Sequence, residues 1–256
     1  MTTDWTPLRV ILAQYRSQNA PLPLWWRDDD AVANTGALER LTALSNACDL
    51  TVHIAVIPGL AQPDLVTAVA QTRQLVPVIH GWRHENHASP NTKKSEFGHD
   101  RAGALQELKD GVARIRDLFG DKSLPLFVPP WNRIDPVFFA ALTDAGVRGV
   151  STFSPRTARL AAPGLVQINT HIDPIDWHGS RDLKDPAMLI DETADLLNRR
   201  LQGEVDQTEP FGYLTHHLIH SERLWAFSRQ FLTELLDAGA TPQPIAPLLE
   251  TTDEPT

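Results

Sequence analysis

The sequence predicts a single α/β domain with a parallel sheet closed into a barrel, and three observations predict it. Short, often wholly apolar segments alternate with longer stretches of helical periodicity, the pattern of parallel strands covered by helices. Seven strand candidates in 256 residues favour closure over an open sheet. No break in composition and no internal repeat divides the chain. Hydrophobic residues make up 42% and charged residues 21%, enough for a full core and incompatible with global disorder.

The strand candidates are residues 22–27, 50–57, 76–80, 124–128, 149–153, 166–171 and 211–215, each bounded by Pro, Gly, Asp or Asn. Between them, residues 35–48 carry Leu38, Leu41 and Leu44 at helical spacing. Residues 100–119 repeat apolar side chains through Leu105, Leu108, Val112, Ile115 and Leu118. Residues 136–145, 186–201 and 222–238 complete the helices, with Gly146 and Gly239 as stops. Residues 1–20 read as an appended amphipathic helix, 21–240 as the barrel, and the Pro-rich 241–256 as a surface tail.

Several classes are excluded by composition. A net charge of −9 argues against nucleic acid or an anionic membrane as the main partner. No apolar run reaches the length of a membrane span, and no signal peptide is visible. The single cysteine, Cys48, forbids an intrachain disulfide and fits a reducing compartment, so a cytoplasmic location is expected. Cys48 itself reads as a packing residue. Ten histidines and seven tryptophans beside two tyrosines are the unusual feature.

Position makes that excess informative. Asp28-Asp29-Asp30 follows the first strand; His80 closes the third, with His84 and His87 after it. Pro129-Pro130-Trp131-Asn132-Arg133 follows the fourth, His171, Asp173, Asp176, Trp177 and His178 the sixth, and His216-His217 the seventh. All lie at C-terminal strand ends, where parallel α/β barrels build active sites. An enzyme explains that segregation; scattered surface polarity does not.

His80 and His84 are four apart, so a helical turn at the strand end puts both imidazoles on one face. With a carboxylate, for which Asp29 is well placed, they make a site for Zn²⁺ or another divalent transition metal. The acidic triplet supports this, because three adjacent carboxylates repel one another unless a cation is present. Arg27 could neutralise part of that charge without a metal, and Asp-rich strand ends often only cap helices. One carboxylate as ligand and its neighbour as general base is the sharper reading. Only one of His216 and His217 can face the barrel interior, and that one suits a general acid. His53 reads as a core histidine, and His99, His178 and His220 as surface or loop residues; His87, His171 and His217 stay undecided. Trp26, Trp82, Trp131 and Trp177 adjoin the clusters and suggest an aromatic mouth that stacks on sugar faces.

In order along the chain, these residues resemble the five motifs of the polysaccharide deacetylases, the NodB-homology carbohydrate esterases. Trp26-Arg27-Asp28-Asp29-Asp30 is similar to T-F-D-D-G, and His80-Gly81-Trp82-Arg83-His84 to H-[ST]-x-x-H. Val128-Pro129-Pro130-Trp131 corresponds to R-x-P-[YW], Asp173-Pro174-Ile175-Asp176-Trp177 to the fourth motif, and Tyr213-Leu214-Thr215-His216 loosely to L-x-x-H. The resemblance spans about residues 22–239 and implies a distorted (β/α)₇ barrel with one divalent metal ion, Zn²⁺ being the expected identity. It implies Asp28 as catalytic base, Asp29, His80 and His84 as metal ligands, the Trp131 N–H as an oxyanion donor and His216 as general acid. Trp26, Trp82, Asp176 and Trp177 become substrate-binding candidates. Val128 stands where the family has an arginine that orients the base, so Arg27 or Arg133 is the candidate replacement. Asp30 stands in place of a glycine, which leaves open which aspartate ligates. The expected activity is removal of acetyl groups from an N-acetylated sugar or glycan precursor. The rivals are a catalytically silent glycan-binding barrel and a metal-dependent hydrolase of a non-sugar amide. Oligomeric state is not read from the sequence.

Overall fold

Parallel pairing begins at strand β1 (Pro23–Ala31), which the computed structural model, describing residues 3–250, sets between strand β2 (Val52–Val56) and strand β8 (Phe211–Thr215). Strands β3 (Leu75–His80), β4 (Leu126–Val128), β5 (Gly149–Val150) and β7 (Leu165–Gln167) continue the ladder beyond β2, all parallel. These seven are the strands expected from the sequence. Strand β6 (Leu160–Ala162), which apolar patterning did not signal, only forms an antiparallel hairpin with β7.

Past β7 the chain stays extended and is bonded on both sides. Ile168 N–H and Thr170 N–H donate to Val150 and Thr152 at 3.0 and 3.1 Å. His171 N–H donates to Gly212 O at 2.8 Å, and Leu214 N–H to Ile172 O at 2.9 Å. One stretch thus links the two ends of the seven-strand path. Gly212 sits where those backbones meet: a Cβ there would lie 2.6 Å from Asn169 O and 2.7 Å from Thr170 Cα.

The helices follow from caps and periodicity. The Thr35 hydroxyl accepts from Leu38 N–H at 3.1 Å to open helix α2 (Gly36–Cys48), which buries Leu38, Leu41 and Leu44. Helix α4 (Ala104–Phe119) starts later than the periodicity predicts, because Gly103 at φ 85° interrupts the first turn. Helix α3 (Pro63–Ala70) was not anticipated, and the expected 136–145 helix divides into a 3₁₀ turn and helix α5 (Phe139–Asp144). Helices α6 (Pro186–Leu201) and α7 (Glu222–Asp237) are capped by Asp185 and Ser221. The appended N-terminal segment forms helix α1 (Thr6–Ser17), whose Tyr15 hydroxyl donates to Leu197 O on α6 at 3.0 Å. No helix among the described residues is long and apolar enough to cross a membrane.

Two differences from the sequence reading bear on the site. First, β1 runs on through the aspartates to Ala31, and its register with β2 slips between Asp28 and Ala31. Asp30 has φ 72°, so the triplet is a bulged strand end, not a loop after the strand. Second, the described part of the expected surface tail, residues 241–250, is structural. Strand β9 (Thr241–Pro242) pairs with the start of β1, and helix α8 (Ala246–Glu250) follows. Ile245 and Leu249 are buried in one cluster with Trp25, Ala55, Val78, Leu126, Val128 and Val166, the inward-facing side chains of the strands. The tail therefore caps the end of the barrel opposite the polar clusters, and Gly149 leaves room for it, since a Cβ there would lie 2.5 Å from Leu249 Cδ2.

Gly212→Ala is expected to destabilise the chain by about 1–3 kcal/mol through overpacking against backbone that cannot move aside. A thermal melt unchanged from wild type contradicts that placement.

Candidate active site

The polar clusters meet at the C-terminal strand ends, and the bulge in β1 decides how. His80 ends β3 with its ring buried, and its Nδ1–H donates to Val128 O at 2.9 Å. That bond fixes the ring and turns Nε2 toward Asp30, the orientation of a metal-binding imidazole. His80 Nε2 lies 3.1 Å from Asp30 Oδ1, and His84 Nε2 lies 3.3 Å from the same oxygen. Ligand atoms of Asp30, His80 and His84 all lie within 4.8 Å of one another. The donor set, two imidazole nitrogens and a carboxylate oxygen with one open side, fits a divalent transition ion.

The two histidines do not meet through a helical turn. Gly81 and His84 both have φ 59°, and the chain between them is an irregular loop. Its backbone is held by Glu96, a buried carboxylate that accepts from the N–H groups of Trp82, Arg83 and Glu85 at 3.0, 2.8 and 3.3 Å. Only glycine fits at position 81, where a Cβ would lie 2.1 Å from Glu96 Oε2. The Trp131 ring packs on His84 with centroids 4.1 Å apart, at a residue whose own φ is 56°.

Asp29 occupies a different environment. Its two oxygens lie 2.9 and 3.0 Å from Arg27, two residues earlier on the same face of β1. Arg27 is fully buried and also donates to Ser151 Oγ at 2.7 Å, to Asn132 Oδ1 at 2.6 Å and to the carbonyls of Ser151 and Thr152 at 3.2 Å. His216 Nε2 lies 3.9 Å from Asp29 Oδ2, and its ring meets the Trp177 ring edge-on at 4.7 Å. Trp177 is fixed by an Nε1–H bond to Asp173 Oδ2 at 2.7 Å.

Asp28 points the other way. Its carboxylate, 0% exposed, receives the Thr215 hydroxyl at 2.6 Å, the His217 N–H at 3.0 Å and His217 Nδ1 at 2.5 Å. Burial alone would raise its pKa, but the His217 charge and these hydrogen bonds hold it below the ordinary carboxylate value. Burial likewise works to lower His217, and Asp28 holds it above the usual imidazole value. At Asp30, burial is outweighed by the His80 bond and the surrounding imidazoles, which hold its pKa well down.

The structure brings together Asp29, His80, His84, Trp131, Trp177, His216 and Arg27 from the sequence-derived set, and adds Asp30. The carboxylate beside the imidazoles belongs to Asp30, where the motif match places Asp29; Asp28, matched there as base, faces His217. Trp26 is no sugar platform: it is 0% exposed, and its Nε1–H donates to Thr215 Oγ1 at 2.8 Å. Trp82 packs half-buried against the core under Arg83. Asp176 spends both oxygens on its own loop, accepting from Gly179 and Ser180 N–H at 3.0 and 2.9 Å. Arg133 donates to Lys94 O at 2.8 Å and does not contact an aspartate, so of the two arginine candidates Arg27 alone touches Asp29. Sequence reasoning also missed Glu96 and Ser151, and named Asn132 only as part of the cluster after the fourth strand, because their contacts are remote in sequence. His53 and His171 are buried histidines bonded to Trp26 O and Glu209.

No family model and no curated protein sequence matches the chain. Solved structures do. A T48 deacetylase with substrate aligns over 92% of this chain and 94% of its own, at 15% identity and a TM-score of 0.54. A family 4 carbohydrate esterase from Streptomyces lividans in complex with acetate aligns over 88% and 93%, at 15% identity and a TM-score of 0.56. A CE4 family pseudoenzyme from Bacillus anthracis aligns over 90% and 66%, at 14% identity and a TM-score of 0.58. The resemblance carried by the motifs thus extends to the fold.

The Asp28–His217 pair gives a direct expectation. His217→Ala leaves a buried carboxylate without its counter-charge and should cost about 3–5 kcal/mol, whereas Asp28→Asn with His217→Leu should recover part of that loss. Stability should fall with pH below the ordinary carboxylate value, as Asp28 protonates. It should fall again above the ordinary imidazole value, as His217 deprotonates. Urea unfolding across pH measures both; a single His217→Ala variant as stable as wild type contradicts the assignment.

Proposed function

We propose that this chain is a metal-dependent hydrolase that removes acetyl groups from an N-acetylated sugar or glycan precursor. The observation that carries the reading is the convergence, on one strand bulge, of Asp30 with two imidazoles and of Asp29 with a buried arginine and His216. In this reading Asp30, His80 and His84 hold one divalent ion, Zn²⁺ by its preference for imidazole and carboxylate in a four-coordinate site. When bound, that ion supplies Lewis acidity toward a carbonyl oxygen and lowers the pKa of a water.

The protein's own groups do the rest. Asp29 takes the role that the motif match gives to Asp28: its carboxylate, held from two sides by Arg27, removes the proton from the attacking water. Arg27 does from β1 what an arginine at position 128 does in the family's motif, and Val128 packs inside the barrel instead. His216, 3.9 Å from Asp29 and braced by Trp177, delivers a proton to the leaving amine. Trp131 and Trp177 flank the opening and offer ring faces or edges to a sugar. The same fold houses a pseudoenzyme, which keeps a silent glycan-binding barrel as the rival; that rival predicts sugar binding with no acetate released.

The test is acetate release from N-acetylglucosamine conjugates by chain loaded with Zn²⁺, with metal content measured alongside. Chelation and His80→Ala should abolish activity, and Asp30→Asn should lose bound metal. Asp29→Asn should keep the metal while kcat falls about 10²–10⁴-fold, the usual contribution of a general base. Full activity after complete metal removal, or Asp29→Asn working at the wild-type rate, overturns the reading.

A further inference from the structure

Beside the reaction centre lies a cavity of about 620 Å³, within the size range of small-molecule sites. Its charged lining is of one sign. Lys93, Arg133 and His99 face it together with Asn132 and the hydroxyl residues Ser89 and Thr92, and no aspartate or glutamate is among its lining residues. In a chain with 32 acidic and 23 basic residues, an acid-free wall is not the average surface. The loop that forms one side, residues 86–99, holds a single acidic residue, Glu96. That side chain is turned inward, 1% exposed, and occupied by the backbone N–H groups of the His84 loop. Lys93 and His99 have no hydrogen-bond or ion-pair partner among the described residues, and Arg133 commits one nitrogen to Lys94 O. Two cationic side chains, Lys93 and Arg133, are gathered here with no carboxylate in the lining to pair them.

The cavity shares its wall with the catalytic groups. Asn132 lines it and accepts from Arg27 at 2.6 Å; Thr152 lines it and its carbonyl accepts from the same guanidinium at 3.2 Å. Trp131, the residue before Asn132, packs on His84. A group seated in the cavity is therefore separated from the Asp29–Arg27 pair by one layer of side chains.

We propose that this cavity binds an anionic group, a phosphate or carboxylate, next to the acetyl-bearing centre. Resting on the deacetylase reading, this makes the substrate class acidic sugars or sugar phosphates, with the anion on the molecule whose acetyl group is removed; a free anion bound beside a neutral substrate is the other source of the same chemistry. Lys93 supplies a point charge, Arg133 its uncommitted N–H groups, and Ser89 a neutral donor, the Thr92 hydroxyl being already committed to Ser89 O at 2.6 Å.

The test titrates the metal-loaded full chain calorimetrically with N-acetylglucosamine, N-acetylglucosamine 6-phosphate and inorganic phosphate, and follows acetate release from the two sugars. The phosphorylated sugar should bind about tenfold or more tightly than the neutral one, the effect of one or two charge-assisted hydrogen bonds. Lys93→Ala should erase that preference, while Lys109→Ala, on the exposed face of α4, should preserve it. Inorganic phosphate binding that Lys93→Ala removes, without preference between the sugars, assigns the site to a free anion. Equal binding of both sugars with no phosphate bound overturns the proposal, as does phosphate binding that survives Lys93→Ala with Arg133→Gln, which places the anion on the metal. Lys93-dependent binding with no acetate released from either sugar refutes the deacetylase reading and leaves the anion site standing.

Discussion

Three consecutive carboxylates at the end of a buried strand repel one another and cannot share one environment, so the chain must separate them. Alternation along β1 sends Asp28 and Asp29 to opposite faces, and the bulge turns Asp30 to a third direction at φ 72°. Each then meets its own positive or proton-donating partner: His217 for Asp28, Arg27 for Asp29, the His80–His84 pair for Asp30. The neighbouring strand end repeats the arrangement. His216 and His217 are adjacent, and β8 runs parallel to β1 with Asp28 opposite Thr215, so one histidine faces Asp29 while the other faces Asp28. Two doubled motifs thus make one pair, Asp29 and His216, and a second, Asp28 and His217, that pins the two strand ends together.

That second pair is expensive in isolation. Two ionisable groups with no exposure lose their hydration, and only close geometry with added hydrogen bonds returns it. Here the Thr215 hydroxyl and the His217 N–H complete the carboxylate, and Trp26 donates to Thr215 in turn. The network fixes the spacing between β1 and β8 one residue away from the 3.9 Å approach of Asp29 to His216. A buried network of fixed partners sets that approach more reliably than a loop does.

Much of this was legible in the sequence, and the gaps have physical causes. Seven strands, the major helices and the gathering of polar residues at one end follow from periodicity and from position, which alternation and capping dictate. The partnership of His80 with His84 follows from their closeness in sequence, although a loop organised by Glu96 joins them and a helical turn does not. The carboxylate beside the imidazoles lies one residue later than the motif match places it because a bulge inserts one residue, and nothing in the triplet itself marks where. Trp26 read as a platform because it adjoins the aspartates, but a strand covered on both faces buries both of its neighbours. The tail read as surface because it is Pro-rich, yet Ile245 and Leu249 find the open end of the barrel.

The same logic accounts for the guanidinium buried at position 27. A guanidinium carries five N–H groups in a fixed fork and is tolerated at zero exposure only if nearly all of them are answered. Arg27 is answered from three strand ends: Asp29 on its own strand, Asn132 after β4, and Ser151 and Thr152 after β5. Arg27 therefore couples Asp29 to the chain beyond β4 and β5. Val128 joins the barrel interior, and its carbonyl orients His80. Arg27 and Asn132, which share a 2.6 Å hydrogen bond, are consequently expected to be non-additive when both are substituted.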